Sequence, residues 1–187
     1  MKAITILMSL AVCSCAIEKP PYEVLAKEGS FELRKYPAIK IVSAPMANMD
    51  NRDVSFRKLF RYISGENAAK QKISMTAPVF MNEASEKTPE QNPGVMSFMI
   101  PAKVVEQGVP APGEQALEIK EIGQGTFAVF RFKGWDQAAP RQAASLALQN
   151  VVKQRKLKPI GEPFFAFYDP PWTPELLRRN EVWQRVE

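Results

Sequence analysis

The 187-residue sequence contains no histidine, and its two cysteines, Cys13 and Cys15, lie close together near the amino terminus. Without histidine, Ser-His and Cys-His catalytic pairs and imidazole-based metal sites are excluded. The chain also has no Cys-x-x-Cys pair and no glycine loop of the kind that holds phosphate groups. These absences predict a non-catalytic protein.

Glutamates are the remaining candidates for acid-base chemistry. Glu32, Glu118 and Glu121 alternate with apolar residues in segments that read as strands, so we expect their side chains to face solvent. A glutamate buried inside the fold, with a raised pKa, could still act as a base. Nothing in the apolar runs of the sequence requires such a residue.

Strong basic patches are scarce as well. The formal net charge is +5, and the only dense basic run is formed by Lys153, Arg155, Lys156 and Lys158. No aromatic side chains interleave with this run, as a nucleic-acid platform would need. We therefore expect no nucleic-acid partner and interpret the run as a solvated helix end.

The chain begins with an apolar run that is too short to span a membrane. Lys2 precedes an uncharged stretch from Ala3 to Val12, which is the layout of a secretory signal. The following residues, Val12-Cys13-Ser14-Cys15, resemble the lipobox at which bacterial lipoproteins are cleaved and acylated. We predict a signal peptide over residues 1–14 and lipidation of Cys15; cleavage at Cys13, or by an ordinary signal peptidase, stays open.

The predicted address follows from the same segment. Ala16 after the modified cysteine resembles the sequence of outer-membrane rather than inner-membrane lipoproteins. We expect an exported protein, lipid-anchored to the periplasmic side of the outer membrane of a Gram-negative bacterium. Residues 15–21 are then a linker, and residues 22–187 form one domain.

The domain contains the same order of elements twice. Apolar and polar residues alternate over residues 22–46, which predicts a hairpin and a longer strand. A helix follows over residues 51–67, with Asp53 as its expected cap. Two further strands complete the first half. After the Pro- and Gly-rich boundary at 109–115, a hairpin, a helix at 136–156 and a final strand return. The prediction is an α+β fold, in which the two halves pair into a single curved sheet or a distorted barrel flanked by two helices.

Several motifs resemble, in order and spacing, those of the SOUL family of haem-binding proteins. They extend over almost the whole domain and read "FRKLFRYISGEN", "KISMTAPV", "MSFMIP", "GEPFFAFYDPPWTP" and "LRRNEVW". The resemblance implies a pseudo-twofold distorted β-barrel of about eight strands flanked by two α-helices, which is also similar to effector-binding domains of the GyrI-like type. It further implies that the closing segment packs across the sheet, with Trp172 and Trp183 buried and with Arg178 and Arg179 reaching carboxylates or carbonyls.

The resemblance also implies a site for haem on the first helix. The matching positions are Phe56, Arg57, Leu59, Phe60, Arg61 and Tyr62. Phe56 and Phe60 would face the macrocycle. Arg61, and after it Arg57 and Lys58, would receive a propionate. Because histidine is missing, an axial ligand must be a Met, Tyr, Lys or unacylated Cys, or ligation is absent. The thioether of Met75 is one candidate.

Two functions follow from this reading. The first is non-catalytic binding of haem or a related tetrapyrrole in an apolar groove at the cell envelope. The second is a carrier or scavenger of another apolar small molecule, with incidental haem affinity. The sequence does not specify an oligomeric state.

Overall fold

A computed structural model describes residues 17–46, 52–83 and 94–187. The predicted signal peptide and Cys15 lie outside the described residues. Within them the chain forms nine strands and three α-helices. The strands are β1 (Glu23–Glu28), β2 (Phe31–Tyr36), β3 (Ile39–Met46), β4 (Val79–Asn82), β5 (Gly94–Met99), β6 (Glu118–Ile122), β7 (Gly125–Phe132), β8 (Pro159–Phe167) and β9 (Asn180–Val186). The helices are α1 (Asp53–Ile63), α2 (Ala102–Gln107) and α3 (Ala138–Gln154).

The two long helices form where the apolar spacing predicts them. Helix α1 buries Ser55, Leu59, Tyr62 and Ile63, a spacing that matches one helical face. The prediction that Asp53 caps this helix is wrong, because Arg52 takes the cap position without a side-chain capping bond. Asp53 instead lies in the first turn, where its carboxylate favours the positive end of the helix dipole.

The strand order confirms the pseudo-twofold architecture. The strands follow one another as β1-β2-β7-β9-β8-β4-β5-β3-β6, and every pairing is antiparallel. The first half of the fold consists of β2 to β5 and the second of β6 to β9. When each strand is replaced by its counterpart (β2 by β6, β3 by β7, β4 by β8, β5 by β9, and the reverse), the order from β2 to β6 becomes the same order read backwards. Helices α1 and α3 are equivalent under the same exchange, since each follows the second strand of its half.

The structure differs from the prediction in two elements and in the closure of the barrel. Strand β1 lies outside the symmetric set, which makes the count nine rather than about eight, and the short α2 is a third helix. In the described ranges the sheet is open, since β1 and β6 are its edges and do not pair with each other. The barrel is therefore incomplete. None of the helices in these ranges has the length and apolar character needed to cross a membrane.

The core lies on both faces of the sheet. One apolar cluster joins strand residues to Leu59 of α1 and Leu148 of α3. The other contains strand residues from β2 to β3, two strands far apart in the sheet, so the sheet must curve around it. Its centre is the indole of Trp183, which is fully buried.

The closing segment packs into the sheet as predicted, with one exception. Strand β9 lies between β7 and β8, and the Trp183 ring stacks on Tyr36 at a centroid distance of 4.4 Å. The prediction that Trp172 is also buried is wrong, because its side chain is almost fully exposed. Trp172 lies in the loop between β8 and β9, where the sheet does not cover it.

Candidate ligand-binding face of helix α1

Helix α1 divides the six predicted site residues into two groups. Leu59 and Tyr62 point into the core and are fully buried. The Tyr62 hydroxyl donates a 2.8 Å hydrogen bond to the carbonyl oxygen of Pro110, and burial raises the pKa of this tyrosine to about 12. A molecule lying on the outer face of α1 would not reach either side chain.

Phe56 and Phe60 form an exposed aromatic pair on one flank of α1. They are one helical turn apart, and their rings are nearly parallel, at 13°, with centroids 6.2 Å apart. The exposed fraction is 38% for Phe56 and 51% for Phe60. Phe98 of β5 supports the pair from below through an edge contact with Phe56 at 5.3 Å. Large apolar residues placed together in solvent often mark a binding surface.

Arg57 and Arg61 each follow one of these aromatic residues and are exposed to solvent. The Arg61 guanidinium holds Glu66, with its Nε and Nη2 atoms each 2.7 Å from the Glu66 Oε2 atom. The hydrogen bond to Arg61 lowers the pKa of Glu66, and that to Glu66 raises the pKa of Arg61. Any anion that binds Arg61 must compete with this carboxylate.

A cleft opens on the opposite flank of α1. Its volume is about 470 Å³. Four charged residues, Lys58, Arg61, Glu66 and Glu114, line it together with Tyr62, Asn67, Ala68, Gly113 and Leu117. Lys58 forms a 2.8 Å ion pair with Glu114. Successive residues of a helix turn by about 100°, so Lys58 lies roughly opposite the aromatic pair. The helix therefore separates the apolar surface from this polar cleft, and Arg61 lies between them.

These positions belong to a segment shared with known proteins. A family model described as SOUL heme-binding protein matches residues 17–185. The chain belongs to this family. Heme-binding protein 2 of Mus musculus is 31% identical over 172 residues, which cover 88% of this chain and 82% of the mouse protein.

Solved structures similar to this SOUL-family chain confirm the predicted fold. The EcmrR C-terminal domain has a TM-score of 0.59 at 17% identity, and the match covers 89% of this chain and 98% of that domain. A hydrolase from Listeria innocua has a TM-score of 0.57 at 7% identity, covering 87% of this chain and 94% of the other. At these identities the likeness extends to the fold alone.

The exposed face of α1 fits a tetrapyrrole in two respects. A flat macrocycle needs apolar contact, which Phe56 and Phe60 offer, and its propionates need cations, which Arg57 and Arg61 offer. Axial ligation is a separate requirement. Met75 is only half-buried but packs against the core cluster, and the other methionines of the described ranges are buried. Ligation by Met75 stays a prediction.

The sequence did not reveal a buried ionic cluster on the same sheet face as Trp183. The carboxylate of Glu181 is fully buried and accepts two hydrogen bonds from Arg34, each 2.9 Å long. It also accepts bonds from Trp183 Nε1 and the Tyr168 hydroxyl, each 2.8 Å long. Burial raises the pKa of Glu181, but hydrogen bonds and charge from Arg34 and Arg179 outweigh it and lower the pKa to about 2.

Glu32 belongs to the same cluster. The expectation that it faces solvent is wrong, because its side chain is buried and lies 2.7 Å from the Arg34 Nε atom. Burial raises the pKa of Glu32, but the hydrogen bond from Arg34 and the charges of Arg34 and Arg131 outweigh burial. The pKa of Glu32 is therefore lowered. A carboxylate with a lowered pKa is a poor base, so the cluster stabilises the fold rather than supplying a proton acceptor. Glu118 and Glu121 are exposed, as predicted.

One signal in the sequence could have indicated the cluster. Glu32, Arg34 and Tyr36 alternate along β2 and therefore share one face, as do Glu181 and Trp183 on β9. A tryptophan or tyrosine on the same strand face as an acid and an arginine indicates that this face is covered.

Proposed function

We propose that this chain binds haem or a related tetrapyrrole, without catalysis, on the exposed face of helix α1 at the cell envelope. The observation that carries the proposal is the stacked, half-exposed pair of Phe56 and Phe60 beside two exposed arginines, in a chain of the SOUL family. Mouse heme-binding protein 2, a relative with 31% identity, is named for haem binding.

The apolar contribution comes from the two phenylalanines. Together they present an aromatic surface that costs free energy while it faces water. A macrocycle laid on this surface would remove both rings from solvent and stack on them. Phe98 limits the movement of Phe56 and so keeps the surface in place before a ligand arrives.

The ionic contribution comes from the arginines. Arg57 and Arg61 each follow a phenylalanine by one position, so they lie about 100° further round the helix. They therefore border the aromatic surface on its solvent side. A propionate near Arg61 would replace Glu66 as the partner of the guanidinium. Bound haem would supply a redox-active iron, and the chain has no histidine to hold it.

The cellular site is part of the proposal and comes from the amino-terminal sequence. Residues 1–14 are proposed as a signal peptide and Cys15 as the acylated residue, on the pattern Val12-Cys13-Ser14-Cys15. A lipid anchor would keep the domain at the envelope, where it could store or hand over haem. Growth with radiolabelled fatty acid tests this part, since a Cys15→Ser variant should lose the label and a Cys13→Ser variant should keep it.

Titration of the chain from residue 16 onward with haem tests the binding function. Absorbance should saturate at one equivalent with a shifted Soret band, and metal-free porphyrin should be run in parallel. We expect Phe60→Ala and Arg61→Ala each to weaken binding, because both side chains are exposed and contribute little to folding. Lys103→Ala on α2 is the control, because Lys103 is exposed and lies in neither cleft, and it should have no effect. Non-saturating uptake that is equal for haem and porphyrin would refute specific haem binding.

A second candidate function is carriage of another apolar small molecule. Its support is a second cleft, of about 440 Å³, between α3 and the irregular part of β8, lined mainly by apolar side chains that include Leu148, Val152 and Leu157. This volume is in the range of small-molecule sites. An apolar fluorescent dye distinguishes the two sites, because Val152→Trp should expel a ligand from the α3 cleft and leave binding on α1 unchanged.

A further inference from the structure

The loop between β8 and β9 exposes three large apolar side chains within six residues. The exposed fraction is 81% for Trp172, 76% for Leu176 and 73% for Leu177. Single exposed apolar residues are common on protein surfaces, but a group of this kind usually marks a contact surface. These three residues are called the apolar loop tip below.

The loop is held in shape by its own hydrogen bonds. Arg178 is buried, and its guanidinium donates to the carbonyl oxygens of Pro171 and Thr173. The guanidinium also lies 4.0 Å from the ring centre of Trp135, which stacks beneath it. A short 3₁₀ turn from Glu175 to Leu177 completes the loop. The tip is therefore held outward and cannot fold back onto the core, which lowers the entropy cost of binding.

The loop base is next to the point where the chain enters the domain. Lys19 places its Nζ atom 6.0 Å from the ring centre of Tyr168, the residue that precedes the loop. Glu18 is fixed to the body by a 2.9 Å hydrogen bond from the Ala77 nitrogen to its carbonyl oxygen. Three residues lie between Cys15 and Lys19, and the four steps along the chain span at most about 14 Å. An acyl chain on Cys15 would therefore keep this end of the domain close to a bilayer.

We infer that the apolar loop tip is a second membrane contact, which inserts into the interface of the lipid bilayer beside the lipid anchor. The inference rests on the anchoring proposed above. Tryptophan suits this place, because its ring is apolar and its N–H can still reach water or a headgroup. Lys19 and Lys133 are exposed near the loop base, where they can meet anionic headgroups.

Quenching of tryptophan fluorescence by brominated lipid tests the inference. The full chain is expressed with export, so that processing can occur, and is reconstituted into vesicles of phosphatidylethanolamine and phosphatidylglycerol carrying brominated acyl chains. Trp183 is buried and Trp135 is covered on one side by Arg178, so quenching should come mainly from Trp172. We expect Trp172→Phe to lose most of the quenching and the matched control, Trp135→Phe, to retain it.

A second pair of variants separates insertion from mere proximity. Leu176→Ser with Leu177→Ser should reduce the quenching of Trp172, because the tip loses apolar area, while Leu146→Ser on the exposed face of α3 should not. Equal quenching in the wild type and the Trp172→Phe variant would overturn the inference, as would no quenching at all. The fatty-acid label on Cys15 is measured on the same preparation, so the two failures are distinguishable: labelled protein without Trp172 quenching overturns the insertion of the loop tip, whereas unlabelled protein overturns the anchor.

Discussion

Replacing Glu181 by glutamine tests the role of the buried ionic cluster most directly. Glutamine has nearly the same shape but no charge. It would remove the carboxylate that accepts two hydrogen bonds from the fully buried Arg34 guanidinium, which would then keep Glu32 as its charged partner. Breaking a buried ion pair by removing one partner costs about 3–5 kcal/mol. Since domains of this size are stable by about 5–15 kcal/mol, Glu181→Gln should lower the unfolding midpoint in urea by a large fraction.

The pH dependence gives an independent magnitude for the same group. The pKa of Glu181 is about 2 in the folded chain against an ordinary value of 4.5. At 1.36 kcal/mol per pKa unit, this difference corresponds to about 3 kcal/mol. Because the folded value is the lower one, the stabilisation is complete above the ordinary pKa and is lost as the pH falls towards 2. Glu181→Gln should therefore flatten the stability profile between about pH 5 and pH 2.

The assay is urea unfolding followed by tryptophan fluorescence, with Trp183 as the buried ring, at several pH values from 7 down to 2. A loss below about 1 kcal/mol at pH 7 would refute the role of the cluster in stability. The double variant Arg34→Met with Glu181→Leu is the comparison, because it removes this pair of charges together. It should recover only part of the lost stability, since buried Glu32 loses Arg34, and Trp183 Nε1 and the Tyr168 hydroxyl lose their acceptor.

Three further predictions concern single residues. Trp183→Ala should cost about 3–5 kcal/mol of unfolding free energy, whereas Trp172→Ala should change it by less than about 0.5 kcal/mol; urea unfolding of both variants checks the difference in burial. Glu66→Gln should raise haem affinity, by at most about fivefold, because it frees Arg61; Glu118→Gln is the control, and unchanged affinity would exclude competition. Tyr62→Phe should cost about 1 kcal/mol of stability but leave haem affinity unchanged, because the hydroxyl faces Pro110 in the core; weaker haem binding would place Tyr62 at the ligand.

Helix α1 shows what apolar spacing predicts about burial and what it does not. Phe56, Leu59, Phe60 and Ile63 fall at one helical spacing, and spacing alone would place the whole stripe on the sheet. The structure buries Leu59 and Ile63 and leaves the two phenylalanines at the edge, half-exposed. Spacing specifies which residues share a side of a helix, but the width of the covered strip depends on the neighbouring strands.

The two misplaced residues have a related explanation. Glu32 alternates with apolar residues, which predicts a solvated face, but the curved sheet covers both faces of β2. Trp172 is apolar, which predicts burial, but the loop that carries it is held outward by Arg178. In both cases a contact from a distant part of the chain overrides the local pattern.

The sequence by itself determined the α+β class, the repeated order of elements, the family and the positions of α1 and α3, because these depend on local periodicity and motifs. Only the tertiary structure decided that the sheet stays open, that Glu32 and Glu181 are buried around Arg34, and which side chains of α1 reach solvent. These features depend on residues as far apart as Arg34 and Glu181, which 147 positions separate. Local patterns carry no information about such pairs, because the free energy of burial is set by whatever the fold brings into contact.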